Sequence, residues 1–132
     1  SPKVALIHCT EKVSEKFPHT LSYESMKEMA RNGEYGDCCV DGPMDVKTAC
    51  DSDSGAIKGI SSPVVGNADA LIFPNIESGN VFYKTLTLFA KAETAGMLCG
   101  TTAPIVVASR ADSGESKFNS LALACLADKV NK

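Results

Sequence analysis

The chain has 132 residues, the length of one ordinary domain, and 44% of them are hydrophobic against 22% that are charged. Its 13 basic and 16 acidic side chains give a net charge of −3, which argues against a general nucleic-acid binder, because such a protein needs a basic surface. No apolar run reaches the roughly 18 residues that cross a bilayer. We therefore expect a packed, soluble chain with no membrane span and no secretory leader.

The cysteines form no C-x-x-C pair and no Cys/His cluster at zinc spacing, and His8 and His19 are single. Most of the cysteines lie in apolar stretches, where a thiol behaves as a small hydrophobe. We expect buried, free thiols in a reducing cytoplasm, and no metal site. The six positions are Cys9, Cys38, Cys39, Cys50, Cys99 and Cys125.

The first third of the chain predicts two strands separated by a helix. Val4–Ile7 is a compact apolar run near the start, typical of a buried strand. A polar loop through Pro18 leads to a predicted helix over Ser22–Arg31, which Ser22 can cap and which Gly33 can end. Residues 38–40 predict the second strand.

The segment after the second strand predicts a turn and a short helix. Asp41-Gly42-Pro43 suits a sharp exit, because proline is tolerated at the first position of a helix. A helix over residues 43–50 would turn Val46, Ala49 and Cys50 inward. Residues 51–55 are polar and predict the frayed end of this helix and a loop.

The second half predicts three more strands, over residues 68–73, 97–99 and 105–107, and two helices, over 77–93 and 113–130. The last helix would bury an apolar face. Strands that alternate with helices indicate an α/β fold with a largely parallel sheet flanked by helices. The residues expected to point inward from the last helix are Phe118, Leu121, Ala122, Cys125 and Leu126.

The residues that follow the last predicted strand are candidates for an anion site. In open α/β sheets, ligands gather where strands end and helices begin. Ser109 and Arg110 occupy such a position, and the planar fork of an arginine matches phosphate. The alternative is structural: Arg110 pairs with Asp112 or Glu115, and Ser109 only ends the strand.

A second candidate lies near the start of the long helix. Gly79 within a helix costs about 1 kcal/mol relative to alanine, so a ligand or a neighbouring backbone could approach closely at Gly79 and Asn80. Lys84 is one turn beyond Asn80 and could meet an anion. The alternative is a packing glycine and a solvated lysine.

Three segments together resemble the phosphate acetyl/butyryltransferase family, in its butyryl-transferring branch. They are VDGPMDV at 40–46, IKGISSPVVGNADALIFPNIESGNVFYKTL at 57–86 and APIVVASRADSGESKFNSLALA at 103–124. The resemblance implies a cytoplasmic acyltransferase that exchanges an acyl group between coenzyme A (CoA) and inorganic phosphate. It implies CoA as a substrate, no metal, and a fold similar to isocitrate and isopropylmalate dehydrogenases, with the cleft between two α/β domains.

The same resemblance implies roles for individual residues. Ser109 and Arg110 match the family's Ser-Arg pair, so Arg110 would hold the phosphate and Ser109 would hydrogen-bond the reacting carbonyl or thiol. The aspartate of the acetyl-transferring branch falls near Ser116. Asp112 or Glu115 is therefore expected to take the proton of the CoA thiol instead.

Family chains are longer, and the resemblance places residues 1–132 as a single domain, the C-terminal half of such an enzyme. Segment 109–132 would then return to the missing N-terminal domain. We expect the chain alone to be inactive, with its last helix folded onto its own domain or driving a homodimer. The alternatives are a non-catalytic anion-binding or interaction module, or a fragment of a decarboxylating dehydrogenase, although no aspartate cluster for its metal follows a strand.

Overall fold

The computed structural model describes the backbone of residues 1–130 and the side chains of residues 1–127, so the last two residues of the predicted segment 109–132 lie outside the described residues. The chain divides into two compact units, Ser1–Val81 and a second one that begins at Phe82. No helix within residues 1–130 is long and apolar enough to span a bilayer. The regular elements are β1 (Lys3–Ile7), α1 (Pro18–Arg31), β2 (Cys39–Met44), α2 (Val46–Cys50), α3 (Ser52–Lys58), β3 (Ala70–Ile72), α4 (Ile76–Phe89) and α5 (Gly114–Val130).

The first unit contains a three-stranded parallel sheet in the order β2-β1-β3. Val4 of β1 lies between Val40 of β2 and Ala70 of β3. Such parallel strands are buried on both faces by the connecting helices, which explains the continuous apolar run of β1. The predicted α/β fold with a parallel sheet is confirmed. The buried core consists of Ala5, Ile7, Met44, Ala49, Val64 and Val65.

The second strand is longer than predicted, because Asp41-Gly42-Pro43 continues it and does not leave it. β2 follows β1 as far as the pair Ile7–Met44, with a shift of register on the way, and the His8 N–H donates to the Met44 carbonyl at 2.9 Å. Gly42 makes this approach possible. Its φ is +149°, and a Cβ built on it would lie 2.5 Å from the Leu6 carbonyl oxygen.

Gly42→Ala is expected to lower the free energy of unfolding by about 3 kcal/mol or more, because the methyl group meets the backbone of Leu6 at a strained φ. Gly59→Ala is the matched control. Gly59 also has a positive φ, of +68°, but open space around it, so only the conformational cost of about 1–2 kcal/mol should appear. Urea unfolding of both variants measures the difference, and equal losses would contradict the close packing at Gly42.

The first helix begins at Pro18, four residues earlier than predicted, and the proposed cap Ser22 lies inside it. Proline at the first position favours this start, and the buried hydroxyl of Thr20 organises the turn before it. That hydroxyl donates to the Phe17 carbonyl at 2.7 Å and accepts the Ser14 N–H at 2.9 Å. The helix ends at Arg31, and Gly33 follows with a φ of +80°, as predicted.

Two short helices replace the single helix and loop predicted over residues 43–55. Asp45 caps α2 by accepting the Thr48 N–H at 2.7 Å, and Asp51 caps α3 by accepting the Asp53 N–H at 3.1 Å. The prediction of a loop at 51–55 is wrong because each aspartate starts a new helix. Ala49 is buried as predicted, but Cys50, the last residue of α2, is exposed.

Lys58, at the end of α3, binds two carboxylates. Its Nζ lies 2.6 Å from Asp45 Oδ2, and it also contacts Glu11 and donates to the Thr48 hydroxyl at 3.0 Å. Burial disfavours the charged form of Asp45, but the hydrogen bonds from Lys58 and from the Thr48 N–H outweigh it and lower the pKa to about 2. This cluster ties α3 to the cap of α2.

The second unit is built mainly from helices. The long helix ends at Phe89 and not at residue 93, and the strands predicted over 97–99 and 105–107 reduce to one antiparallel bridge between Leu98 and Ile105. α5 begins at Gly114, one residue from the prediction.

The inward face predicted for α5 is wrong. Phe118 is 69% exposed and Leu126 62%, and Leu121, Ala122 and Cys125 are exposed too. The helix instead buries small side chains, Ser120 and Ala124, one turn apart. A pattern of apolar residues identifies the helix face that would gain from burial, but the face is buried only where another part of a protein packs against it. Within residues 1–127, nothing covers this face of α5.

The prediction that the cysteines are buried is also wrong. No disulfide joins them, but Cys9, Cys50, Cys99 and Cys125 are exposed, and Cys38 and Cys39 are half-buried. Cys9 comes after the end of β1, so its neighbours no longer enclose it. Apolar residues adjacent in sequence do not bury a thiol unless the element that carries them is covered.

Candidate active site

The loop between residues 108 and 113 is closed on itself by Asp112. The Asp112 Oδ2 accepts the Ser109 N–H at 2.9 Å, and the Asp112 N–H donates back to the Ser109 carbonyl at 3.1 Å. The Ser109 hydroxyl accepts the Ala111 N–H at 3.3 Å. The two hydrogen bonds between Ser109 and Asp112 close the loop and turn residue 110 outward, shortly before α5 begins.

The second carboxylate oxygen of Asp112 is occupied from α4. The Tyr83 hydroxyl donates to Oδ1 at 3.3 Å, and the Lys84 Nζ lies 3.7 Å from the same oxygen. The Ser109 N–H, with Tyr83 and Lys84, lowers the pKa of Asp112 below its ordinary 3.8, although burial acts the other way. Asp112 is therefore an ionised anchor of the loop. Its side chain is only 16% exposed.

Arg110 is exposed, and in the part of the chain that the structure describes it forms no ion pair. The alternative expectation, in which Arg110 pairs with Asp112 or Glu115, does not hold, since Asp112 pairs with Lys84. Glu115 is exposed as well. A guanidinium without a carboxylate partner keeps all its donors for a ligand, and a planar oxyanion acceptor suits it best.

Two neighbouring hollows flank Asp112 and Ser116, which line both. The larger, of about 500 Å³, is lined by apolar side chains such as Leu88 and by charged ones that include Lys84, Lys91 and Glu115. The smaller, of about 200 Å³, has hydroxyl groups and small side chains on its walls. Its lining includes Tyr83, Thr94, Gly96, Ala108, Ser109 and Ser120.

The other predicted binding residues separate into two groups. Lys84 joins the site through Asp112, and its Nζ lies 4.7 Å from the centre of the Tyr83 ring. Gly79 and Asn80 belong to the first unit. A Cβ on Gly79 would lie 3.7 Å from Phe73 Cβ, an ordinary contact, so packing does not demand glycine there, and Asn80 is exposed.

Sequence reasoning missed the hydroxyl cluster formed by Tyr83, Thr94, Ser113 and Ser116. Thr94 Oγ1 lies 3.4 Å from the Tyr83 hydroxyl and donates to Ser116 Oγ at 3.3 Å. Ser113 donates to the same Oγ at 3.1 Å. The spacing of Ser116, Ser120 and Ala124, each four residues apart, is the signal that could have indicated this buried small-residue face.

Within residues 1–130, no three His, Cys, Asp or Glu side chains come together as a group that could hold a metal ion.

The ring of His8 packs edge-on against Phe17, with 4.9 Å between the ring centres. Burial lowers the pKa of His8, and the charge of His19 lowers it further.

Arg110 is thus presented on a closed loop, next to two hollows that Asp112 and Ser116 line. The family model described as phosphate acetyl/butaryl transferase matches residues 1–125, and the chain belongs to this family. The phosphate butyryltransferase of Clostridium acetobutylicum is 44% identical over 126 residues, which are 96% of this chain and 42% of that protein. The phosphate acetyltransferase of Thermotoga maritima is 41% identical over 126 residues, 96% of this chain and 43% of that protein.

Among solved structures, a branched-chain phosphotransacylase from Enterococcus faecalis superposes with a TM-score of 0.82 at 38% identity. The match covers 94% of this chain and 44% of that one. The chain thus spans less than half the length of these relatives.

Proposed function

We propose that this chain supplies one wall of the active site of a phosphate acyltransferase, which exchanges butyryl or a similar short acyl group between CoA and inorganic phosphate. The exposed, unpaired guanidinium of Arg110, on the loop that Asp112 closes, is the observation that carries the proposal. Membership in the family and the activities named for its relatives support it.

In this proposal Arg110 binds the phosphate, and Ser109 hydrogen-bonds the reacting carbonyl or the thiol. Charge develops on the carbonyl oxygen during acyl transfer, and donors placed beforehand stabilise it better than water does. Asp112 is engaged by three donors, so we assign it to shaping the loop. Glu115 is left as the carboxylate that could accept the proton of the CoA thiol.

Lys84 lines the larger hollow and is proposed to bind an anionic part of CoA. Gly79 and Asn80, near the start of the same helix, are proposed as further substrate-binding residues. No metal is proposed for the reaction.

The rest of the cleft is proposed to come from an N-terminal domain, so that two α/β domains face each other as in isocitrate and isopropylmalate dehydrogenases. Residues 1–132 would then be the C-terminal half, and the exposed apolar side chains of α5, such as Phe118 and Leu126, would meet that domain or a second copy. We place the enzyme in the cytoplasm, because six free cysteines are typical of a reducing compartment.

The second candidate is a non-catalytic anion-binding or interaction module. The exposed apolar face of α5 favours it, since a surface of this kind marks a site of association. Under this alternative Arg110 binds an anion, but no acyl group is transferred.

Two preparations distinguish these functions. The first is the 132-residue chain alone, and the second is a chimera in which this chain replaces the matching segment of the Clostridium acetobutylicum relative. We expect no release of CoA from butyryl-CoA and phosphate by the chain alone, and turnover comparable to that of the relative by the chimera. Turnover by the chain alone would contradict the proposal that this chain supplies only one wall of the active site. A folded chimera without turnover would favour the second candidate, the non-catalytic binding module.

A further inference from the structure

The hydroxyl of Ser116 is arranged as a hydrogen-bond donor toward the hollows. Its oxygen accepts two hydroxyl protons, from Ser113 at 3.1 Å and from Thr94 at 3.3 Å. Its N–H donates to Ser113 Oγ, and its carbonyl accepts the Ser120 hydroxyl at 2.7 Å. Every other polar group of the residue is thus engaged, and the Ser116 hydroxyl proton has no acceptor among the residues that the structure describes.

Donors that converge on an oxygen polarise its own O–H bond and make it a better donor. Ser116 is half-buried and lines both hollows, so a ligand atom placed beside it in either hollow lies within its reach. The Ser116 hydroxyl is therefore oriented by its neighbours before any ligand arrives. Such fixed donors are what stabilise a charge that develops during a reaction.

The charge around Ser116 decides which ligand oxygen it suits. Of the two hollows, the smaller is lined by the ionised Asp112 but by no lysine or arginine, so it disfavours a phosphate dianion. Arg110, the proposed phosphate ligand, lines neither. An uncharged carbonyl oxygen can approach beside Asp112, and it becomes a good acceptor only when negative charge builds up on it.

We propose that Ser116 is a catalytic residue that donates a hydrogen bond to the carbonyl oxygen of the acyl group, and that Thr94 is a positioning residue that acts through it. This inference rests on the proposed function. An oxygen of hydrogen phosphate attacks the thioester carbon, the new C–O bond forms, and the π electrons move to the carbonyl oxygen. Ser116 donates to that oxygen and keeps its proton.

The tetrahedral intermediate then returns its electrons, and the C–S bond breaks. The proton of the attacking hydrogen phosphate ends on the CoA sulfur, so the products are the acyl phosphate and the CoA thiol. Ser116 is unchanged at the end of the step, which means that it contributes stabilisation of charge and not transfer of a proton.

The test measures kcat and the phosphate KM of the chimera carrying Ser116→Ala, Ser116→Thr or Thr94→Val. We expect Ser116→Ala to lower kcat by about 10²-fold, the effect of one lost donor to an oxyanion, with little change in the phosphate KM. Ser116→Thr keeps the hydroxyl and should restore most of kcat. Thr94→Val removes one donor to Ser116 and should have a smaller effect of the same kind.

The inference is overturned if Ser116→Ala keeps kcat within about twofold of the parent, or if its effect falls on the phosphate KM, which would make Ser116 a phosphate ligand. Backbone amide NMR spectra of each variant in the 132-residue chain check that the loop keeps its conformation. An unmodified chimera without turnover is a different result, because it overturns the proposed function itself.

Discussion

Arg110→Ala is expected to lower kcat/KM for phosphate in the chimera by about 10³-fold, because a charge-assisted donor pair is lost from a site that offers no substitute. Lys84 does not replace it, since its ammonium group is paired with Asp112. Arg110→Lys should recover only part of the loss, because lysine restores the charge but not the planar fork.

Arg31 provides the matched control for this experiment. It is the chain's other arginine, it ends α1 in the first unit, and its Nε donates to the Lys27 carbonyl. Arg31→Ala should leave kcat/KM unchanged. If Arg110→Ala and Arg31→Ala behaved alike, the loop would not bind the phosphate.

Removal of the loop's anchor is expected to have the second-largest effect. In Asp112→Ala the Ser109 N–H loses its acceptor, and Tyr83 and Lys84 lose their partner, so the loop opens and kcat/KM should fall by about 10²-fold. In Asp112→Asn the side-chain carbonyl can still accept the Ser109 N–H. This variant should therefore retain more activity than the alanine variant.

Hydrogen exchange at the Ser109 amide separates the two roles open to Asp112. If Asp112 anchors the loop, exchange accelerates in Asp112→Ala and much less in Asp112→Asn. If Asp112 is instead the base of the reaction, Asp112→Asn loses as much activity as Asp112→Ala, even though its Ser109 amide stays protected. Glu115→Ala completes the comparison, since Glu115 is the other carboxylate proposed as the base and no ion pair holds it within residues 1–127.

Acid provides a further check on the anchor. The pKa of Asp112 lies below 3.8, so its charge, and the stabilisation that depends on it, is fully present above that pH. The stabilisation is lost as the pH falls through the lower pKa of the folded state. The protection of the Ser109 amide should therefore be the same at pH 8 and at pH 5.

Local signals predicted the elements whose ends are set by nearby residues. β1 is an apolar run, and α1 ends where an arginine and then a glycine with positive φ follow. The continuation of β2 through Gly42 could not be predicted in this way, because it depends on the approach of Leu6 from another strand. From the sequence alone, Gly42-Pro43 predicts a turn, and only the pairing with β1 shows that these residues continue the strand.

Only the part of the candidate site that is local in sequence could be predicted. Ser109, Arg110 and Asp112 stand together in sequence, so the loop could be located from its residue types. The partners of Asp112 could not be predicted from the sequence, because Tyr83 and Lys84 come from α4 and no local spacing relates them to residue 112. The same long-range contact removed Asp112 as a partner for Arg110.

The exposed face of α5 shows the limit of periodicity more clearly. The positions of Phe118, Leu121 and Leu126 predict a buried stripe, yet the helix buries the serine and alanine positions on another side. Periodicity reports which side chains gain from burial. Which of them become buried is decided by the surface that meets them, and no such surface covers Phe118, Leu121 or Leu126 within residues 1–127.

The most direct measurement is a titration of the 132-residue chain with inorganic phosphate, followed by amide NMR at constant ionic strength, with chloride as the reference anion. If Arg110 binds phosphate, we expect saturable shifts concentrated at the amides of residues 109–116, and we expect these shifts to disappear in Arg110→Ala. Shifts scattered over other parts of the chain, or shifts that persist without the guanidinium, would contradict it.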